Sequence, residues 1–268
     1  MRWIVVVAVT TLLLTLALPA PAQEATGEVV VVHGLRGLVA DVYVDGQRVL
    51  EGFSPERTTD AIALPAGEHA VEVREAGQPR GSEPLLSGSL DIGSGDHLSA
   101  VVHASRGGQP QMTVFSNALT RLPTGRSRLV VRHTADAGPI DVRVDEQRLA
   151  SDLMPGRETA KRLRRPSHEV VVAAAGQPQP LVPPADVRVN EGTQTTLYLI
   201  GSANRDSLGW IAQSFDSVAS APGGVPSGNS GLAATNRMPA QGPVPVAIAG
   251  AVALIALLLH KRRLSSTP

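Results

Sequence analysis

The chain of 268 residues has no cysteine, which excludes a disulfide scaffold, a thiolate nucleophile and a thiolate zinc site. Lysine is nearly absent as well, standing only at Lys161 and Lys261, so almost all of the 24 cations are arginine. They balance 24 Asp and Glu, which leaves no basic footprint for nucleic acid. Aromatic residues make up 3%, so any core must be built from Val, Leu, Ile and Ala. Small cores of that kind give modest stability per domain, and contact between domains would add to it. The chain also lacks a Gly-x-Ser-x-Gly elbow, a phosphate-binding loop, His-Glu-x-x-His and an EF-hand. No catalytic residue, cofactor or metal is expected. The richness in Ala, Val, Gly and Pro points to a GC-rich bacterial genome.

Both ends read as membrane-related. Met1–Arg2, the apolar run Trp3 to Leu18 and Pro19-Ala20-Pro21-Ala22 form the three parts of a secretory signal, with cleavage expected after Ala22. Pro243 to Leu259 carries no charge; as a helix it would span ~25 Å, a little short of a ~30 Å hydrocarbon core. His260-Lys261-Arg262-Arg263 follows at once, a cluster that belongs on the cytoplasmic side. The expected localisation is therefore a single-pass type I membrane protein with the bulk of the chain outside. Met238-Pro239-Ala240-Gln241-Gly242 resembles a sortase pentapeptide but lacks its Thr.

Between these ends the chain repeats itself. Val30-Val31-Val32-His33 matches Val130-Val131-Arg132-His133, and Asp41-Val42-Tyr43-Val44-Asp45-Gly46-Gln47-Arg48 matches Asp141-Val142-Arg143-Val144-Asp145-Glu146-Gln147-Arg148. The stretch Val71 to Pro79 matches Val170 to Pro178, so the offset drops from 100 to 99 and one small deletion separates the copies. Each copy reads as β. Val29 to His33 is a β-branched run suited to a strand buried on both faces, and Asp45-Gly46 marks a two-residue hairpin turn. Asp145-Glu146 lacks the Gly that tolerates positive φ, so its turn should be of another type or looser. Residues 158–165 could form a helical turn that Pro166 stops. Residues 119–127 read as a link between copies.

The pattern Val-Val-x-His, Asp-Val-x-Val-Asp, then Leu64-Pro65-Ala66-Gly67, resembles the bacterial family called domain of unknown function 4397. Members are typically exported and often carry the motif twice. His133 and Asp141-Val142-Arg143-Val144-Asp145 carry it in the second copy, where Leu163-Arg164-Arg165-Pro166 stands in place of Leu-Pro-Ala-Gly. A surface-repeat module of the PEGA type shares part of the pattern. Either resemblance implies a β-sandwich, and neither implies an enzyme. The expected fold class is all-β: two tandem immunoglobulin-like or prealbumin-like β-sandwich domains at 28–118 and 128–218, plus one C-terminal transmembrane helix at 243–259. A signal peptide at 1–22, a Gly/Pro/Ser/Ala stalk at 219–242 and a basic tail at 260–268 complete the layout.

Four groups of residues invite a chemical reading. His33 and His133 occupy equivalent strand ends in different domains, so each is expected to bond a loop carbonyl at home rather than share a site. Asp41/Asp45 and Asp141/Asp145, four apart on a strand, would stand ~13 Å from each other; that is too far for one Ca²⁺, and Asp45 is expected to start the hairpin. Gly93-Ser94-Gly95-Asp96-His97 reads as a turn. The basic run Arg157, Lys161, Arg162, Arg164 and Arg165 is the candidate contact for an anionic partner. The expected function is a membrane-anchored cell-surface protein displaying two non-enzymatic interaction domains, with a cell-wall polymer or a surface protein as partner. The alternatives are a structural spacer without a ligand and, last, an extracellular enzyme.

Overall fold

The computed structural model of the chain describes residues 25–79, 81–164 and 166–216. The expected signal peptide, the stalk, Pro243 to Leu259, the basic tail and Arg165 all lie outside the described residues. The described part is all-β. In the first copy the strands are β1 (Thr26–His33), β2 (Ala40–Val44), β3 (Gln47–Phe53), β4 (Arg57–Thr58), β5 (Ile62–Pro65), β6 (Gly67–Glu75), β7 (Leu86–Ile92), β8 (His97–Ala104) and β9 (Pro110–Ser116). The second copy has β10 (Ser127–His133), β11 (Ile140–Val144), β12 (Gln147–Leu153), β13 (Arg157–Leu163), β14 (Ser167–Ala174), β15 (Ala185–Arg188), β16 (Thr193–Ile200) and β17 (Gly209–Asp216).

The expectation of a fold that includes a transmembrane helix is corrected. Among the described residues no helix is long and apolar enough to cross a membrane; the helical content there is one 3₁₀ turn, Ala203–Arg205. Three residues at ~2.0 Å each rise ~6 Å, a fifth of a hydrocarbon core. The helical turn expected within 158–165 is also replaced: Arg157–Leu163 is a strand, paired with β10 along its whole length. Partner pairing there overrides the helix propensity of Glu, Ala, Lys, Leu and Arg.

Each copy forms two sheets. In the first, β4-β1-β8-β9, with β5 also on β1, packs against β3-β2-β6-β7; in the second, β13-β10-β16-β17 packs against β12-β11-β14-β15. The central pairs β1/β8 and β10/β16 are parallel. Val29, Ala100 and Val102 meet Val42, Val71 and Leu90 inside the first sandwich. Leu129, Val131 and Leu197 meet Val142, Val170 and Val187 inside the second.

The one-residue difference between copies has a location. His33 and Val32 pair with Arg57 and Thr58, then Val29 pairs with Ile62. Three residues therefore stand opposite two, a bulge, and Thr59 fills it by bonding both the N–H and the carbonyl of Val31. The second copy lacks that residue, and β13 runs unbroken from Arg157 opposite His133 to Leu163 opposite Ser127.

The two inner sheets face each other. Val30, Val32, Val101 and Phe115 of the first copy pack on Tyr198, Ile200 and Ile211 of the second. This is why β1 is apolar on both faces: Val29 and Val31 serve the sandwich core, Val30 and Val32 the seam. Arg132 replaces Val32 and Tyr198 replaces Val101 at matched positions of the two parallel ladders. Arg132 is 1% exposed. Its guanidinium donates to Glu158 Oε2 (2.8 Å), to the Tyr198 hydroxyl (3.0 Å) and across the seam to Asn117 Oδ1 (2.8 Å). It also lies over the Phe115 ring at 4.5 Å, a cation–π contact in a dry setting. At one end of the seam, the absence of a side chain on Gly34 admits Ile200; a Cβ there would sit 3.1 Å from its Cγ2.

Candidate functional site

The histidines singled out in the sequence are buried structural groups. His133 bonds the Gly138 carbonyl through Nε2 at 2.9 Å, within its own copy. His33 lies against the Phe53 ring, centroids 5.4 Å apart, and beside the Leu38 backbone, without a closed hydrogen bond at either nitrogen. Burial holds both below the ordinary histidine value. His103, which the sequence reading did not single out, faces the seam and bonds Thr113 Oγ1 (2.8 Å); burial pushes it down to about 4, with His133 nearby adding to the effect.

The aspartates do separate work. Asp41 accepts from the Gly52 N–H at 2.8 Å, while Asp141 accepts from Asp152 and Gly176; those two backbone donors hold the Asp141 carboxyl low. Asp45 has φ 50 and stands in the hairpin turn, beyond the end of β2, so the strand spacing assumed for it does not apply. Asp96 caps its own turn through the Gly93 N–H, and His97 bonds Glu28. Ser94 and Asp96 lie in a turn, and His97 opens β8.

One device recurs that the sequence reading missed. Asp45 accepts from His69 Nδ1 at 2.7 Å and from the Ala70 N–H at 2.9 Å; Asp145 accepts from His168 Nδ1 at 2.6 Å and from Glu169 N–H at 3.1 Å. Each pair ties a hairpin turn to the start of the neighbouring strand. The signal was available: His69 and His168 keep the 99-residue offset. The turn itself is the same in both copies. Asp145 and Glu146 have φ 49 and 65, matching Asp45 and Gly46 at 50 and 72, and both turns set Val opposite Gln in the same register. The looser turn expected for Asp145-Glu146 is therefore corrected: the two flanking strands and the Asp–His tie hold Glu146 in the left-handed region.

Beside that tie the second sandwich opens into a cleft of 560 Å³, and Arg126, Lys161, Arg162 and Arg164 line it. Its other wall carries Asp145, Glu146 and Glu169. Lys161 bonds Gln147 at 3.1 Å. Among the described residues none of Arg126, Arg162 and Arg164 forms an ion pair. Three of the five cations of the basic run thus meet in one place, and Arg126 joins them from the segment before β10. Arg157 stands at the other end of β13, opposite His133. Matched positions in the first copy are Thr26, Ile62, Ala63 and Pro65. There the space between the sheets is a slot lined by apolar side chains, with Val49, Ile62 and Leu64 among them. The duplication keeps the Asp–His tie and changes what surrounds it.

A family model described as "Domain of unknown function (DUF4397)" matches residues 27–143, a single stretch that ends within β11. No curated protein matches the sequence. Among solved structures, the crystal structure of CBMbc (family CBM26) from Eubacterium rectale Amy13K in complex with maltoheptaose is similar at 8% identity, covering 73% of this chain and 98% of that one. Its TM-score of 0.22 is too low to bear on fold or ligand.

Proposed function

We propose that this protein is an exported, non-enzymatic cell-surface binding module, and that the cleft of its second sandwich accepts an anionic group carried by a cell-wall polymer or a surface protein. The observation that carries the reading is the set Arg126, Lys161, Arg162 and Arg164 around one cleft, where the first copy has no charge. Cations without an acidic partner, drawn from two segments into one concavity, form a ready electrostatic site for an anion. Export rests on the signal-like pattern Met1 to Ala22. The non-enzymatic reading is supported by the state of the cleft's imidazole: His168 is tied to Asp145 in the same arrangement that closes a hairpin in the first copy.

The test is photo-crosslinking of the protein on its own cells, compared with a variant in which Lys161, Arg162 and Arg164 are changed to Ser. A discrete partner lost in the variant supports the reading; a partner retained moves the site elsewhere. A second reading, a spacer without a specific ligand, is favoured by the buried seam that packs the two sandwiches together. It gains if nothing is recovered above background.

A further inference from the structure

The β10/β13 ladder changes character along its length. On the face turned toward the seam, Arg132 stands opposite Glu158, an oppositely charged and bonded pair. Two residues on, Val130 stands opposite Ala160, and two further on Arg128 stands opposite Arg162. Just past the two strand ends, Arg126 and Arg164 line the same pockets. Arg128 and Arg162 thus form a like-charged rung near the free end of the ladder, with Arg126 and Arg164 just beyond it. Opposed Cβ atoms on adjacent strands are ~5 Å apart, and like charges so placed repel.

Nothing in the fold requires this arrangement. The matched positions in the first copy are Thr26, Glu28, Ala63 and Pro65, and the corresponding ladder pairs form without a cation. Among the described residues none of the four arginines has a carboxylate partner; Arg128 donates to the Ala118 carbonyl at 3.3 Å. Because the chain has only two lysines, the use of Arg is uninformative by itself. The information is in the placement.

We infer that the group taken by this site is a phosphate, or successive phosphates of one polymer, held by Arg126, Arg162 and Arg164 of the cleft and by Arg128, which lies outside the cleft's lining but stands opposite Arg162. This rests on the anion-binding reading of the cleft and narrows its ligand. A carboxylate offers one charge and satisfies one guanidinium fork, which would leave most of the repulsion in place. A free or terminal phosphate carries up to two charges and at least three acceptor oxygens, and in a polymer successive phosphodiesters, one charge each, can meet the Arg128–Arg162 pair and Arg126 with Arg164 together.

The experiment follows thermal unfolding of the full chain with inorganic phosphate or acetate at matched ionic strength, for wild type, Arg128→Gln, Arg162→Gln and Arg157→Gln. Phosphate should stabilise at a concentration about tenfold or more below acetate, and losing either rung residue should weaken the phosphate response about tenfold. Without anion, Arg162→Gln should unfold at a slightly higher temperature than wild type, because repulsion is relieved; a merely structural arginine would give the opposite sign. Arg157→Gln, remote on the same strand, should behave as wild type toward phosphate. Oligo(glycerol phosphate) and phosphatidylglycerol vesicles then separate a polymer source from a membrane source, and binding to either supports the assignment. Equal responses to acetate and phosphate, or a full phosphate response in both Arg128→Gln and Arg162→Gln, overturn the inference while leaving the cleft as a general anion site. No response to any anion removes the inference and the reading beneath it together.

Discussion

His69 Nδ1 donates to Asp45 Oδ2 at 2.7 Å while its Nε2 faces the Pro65 carbonyl at 2.8 Å, so both acceptors are satisfied only by the doubly protonated ring. The bond to Asp45 is the main reason His69 is raised above its ordinary value, and the same bond holds Asp45 low. A histidine raised in the folded state contributes stability that is fully present below the unfolded value of 6.5 and is lost as pH rises through the folded value. The depressed Asp45 works at the other end, and its contribution is lost as pH falls below 3.8. His69→Gln should therefore lower the urea midpoint most between those limits, with the gap closing on the alkaline side. The direct loss is about 1–3 kcal/mol at its largest. A gap that widens with rising pH would contradict the assignment.

The buried histidines carry the opposite sign. His33, His133 and His103 are held neutral by burial, His103 down to about 4. The unfolded chain binds protons at these sites first, so stability should fall as pH drops from 6.5 toward 4, by ~3 kcal/mol for His103 alone. Urea midpoints of His103→Gln and wild type should converge over that range. Parallel pH profiles would show that His103 does not carry the acid sensitivity.

Glu146 occupies the turn position that Gly46 fills in the first copy, with φ 65. A left-handed backbone costs a non-glycine residue about 1 kcal/mol. Glu146→Gly should raise stability by about that amount, and Gly46→Glu should lower it similarly, both read from denaturant midpoints. Unchanged midpoints would mean that the flanking strands absorb the strain.

Arg132 should be costly to remove although its counterpart is Val32. Truncation leaves Asn117 and the Tyr198 hydroxyl buried without their donor and Glu158 without its cation. Arg132→Ala should cost about 3 kcal/mol, and Arg132→Val, which restores the first copy's residue, should not recover it. Full recovery by Val would mean that the polar cluster at the seam contributes nothing.

The repeat, the all-β character and the Asp45-Gly46 hairpin were legible in the residues, because β-branched runs and two-residue turns are local signals. Arg132, inside a valine run, was not singled out, and the seam explains it. The strand Arg157–Leu163 was not legible: its charged, helix-favouring composition says one thing, and the partner strand β10 imposes another. The likeness of the Asp145-Glu146 turn to Asp45-Gly46 was missed for a related reason, since residue preference ranks turns but flanking strands and the His168 tie select them. In the site, Lys161, Arg162 and Arg164 could be read as a run. Arg126 and Arg128 could not, because what joins them to that run is cross-strand register. Arg157 belongs to the run in sequence and not in space.

The decisive measurement is equilibrium binding of the full-length protein to poly(glycerol phosphate) and to an uncharged polyol of equal length, at about 0.05 M and about 0.5 M salt. The expected result is binding to the phosphate polymer alone, strong at low salt, lost at high salt, and lost in a variant with Arg162 and Arg164 changed to Gln. Equal binding to the uncharged polymer, or undiminished binding by the variant, would contradict it.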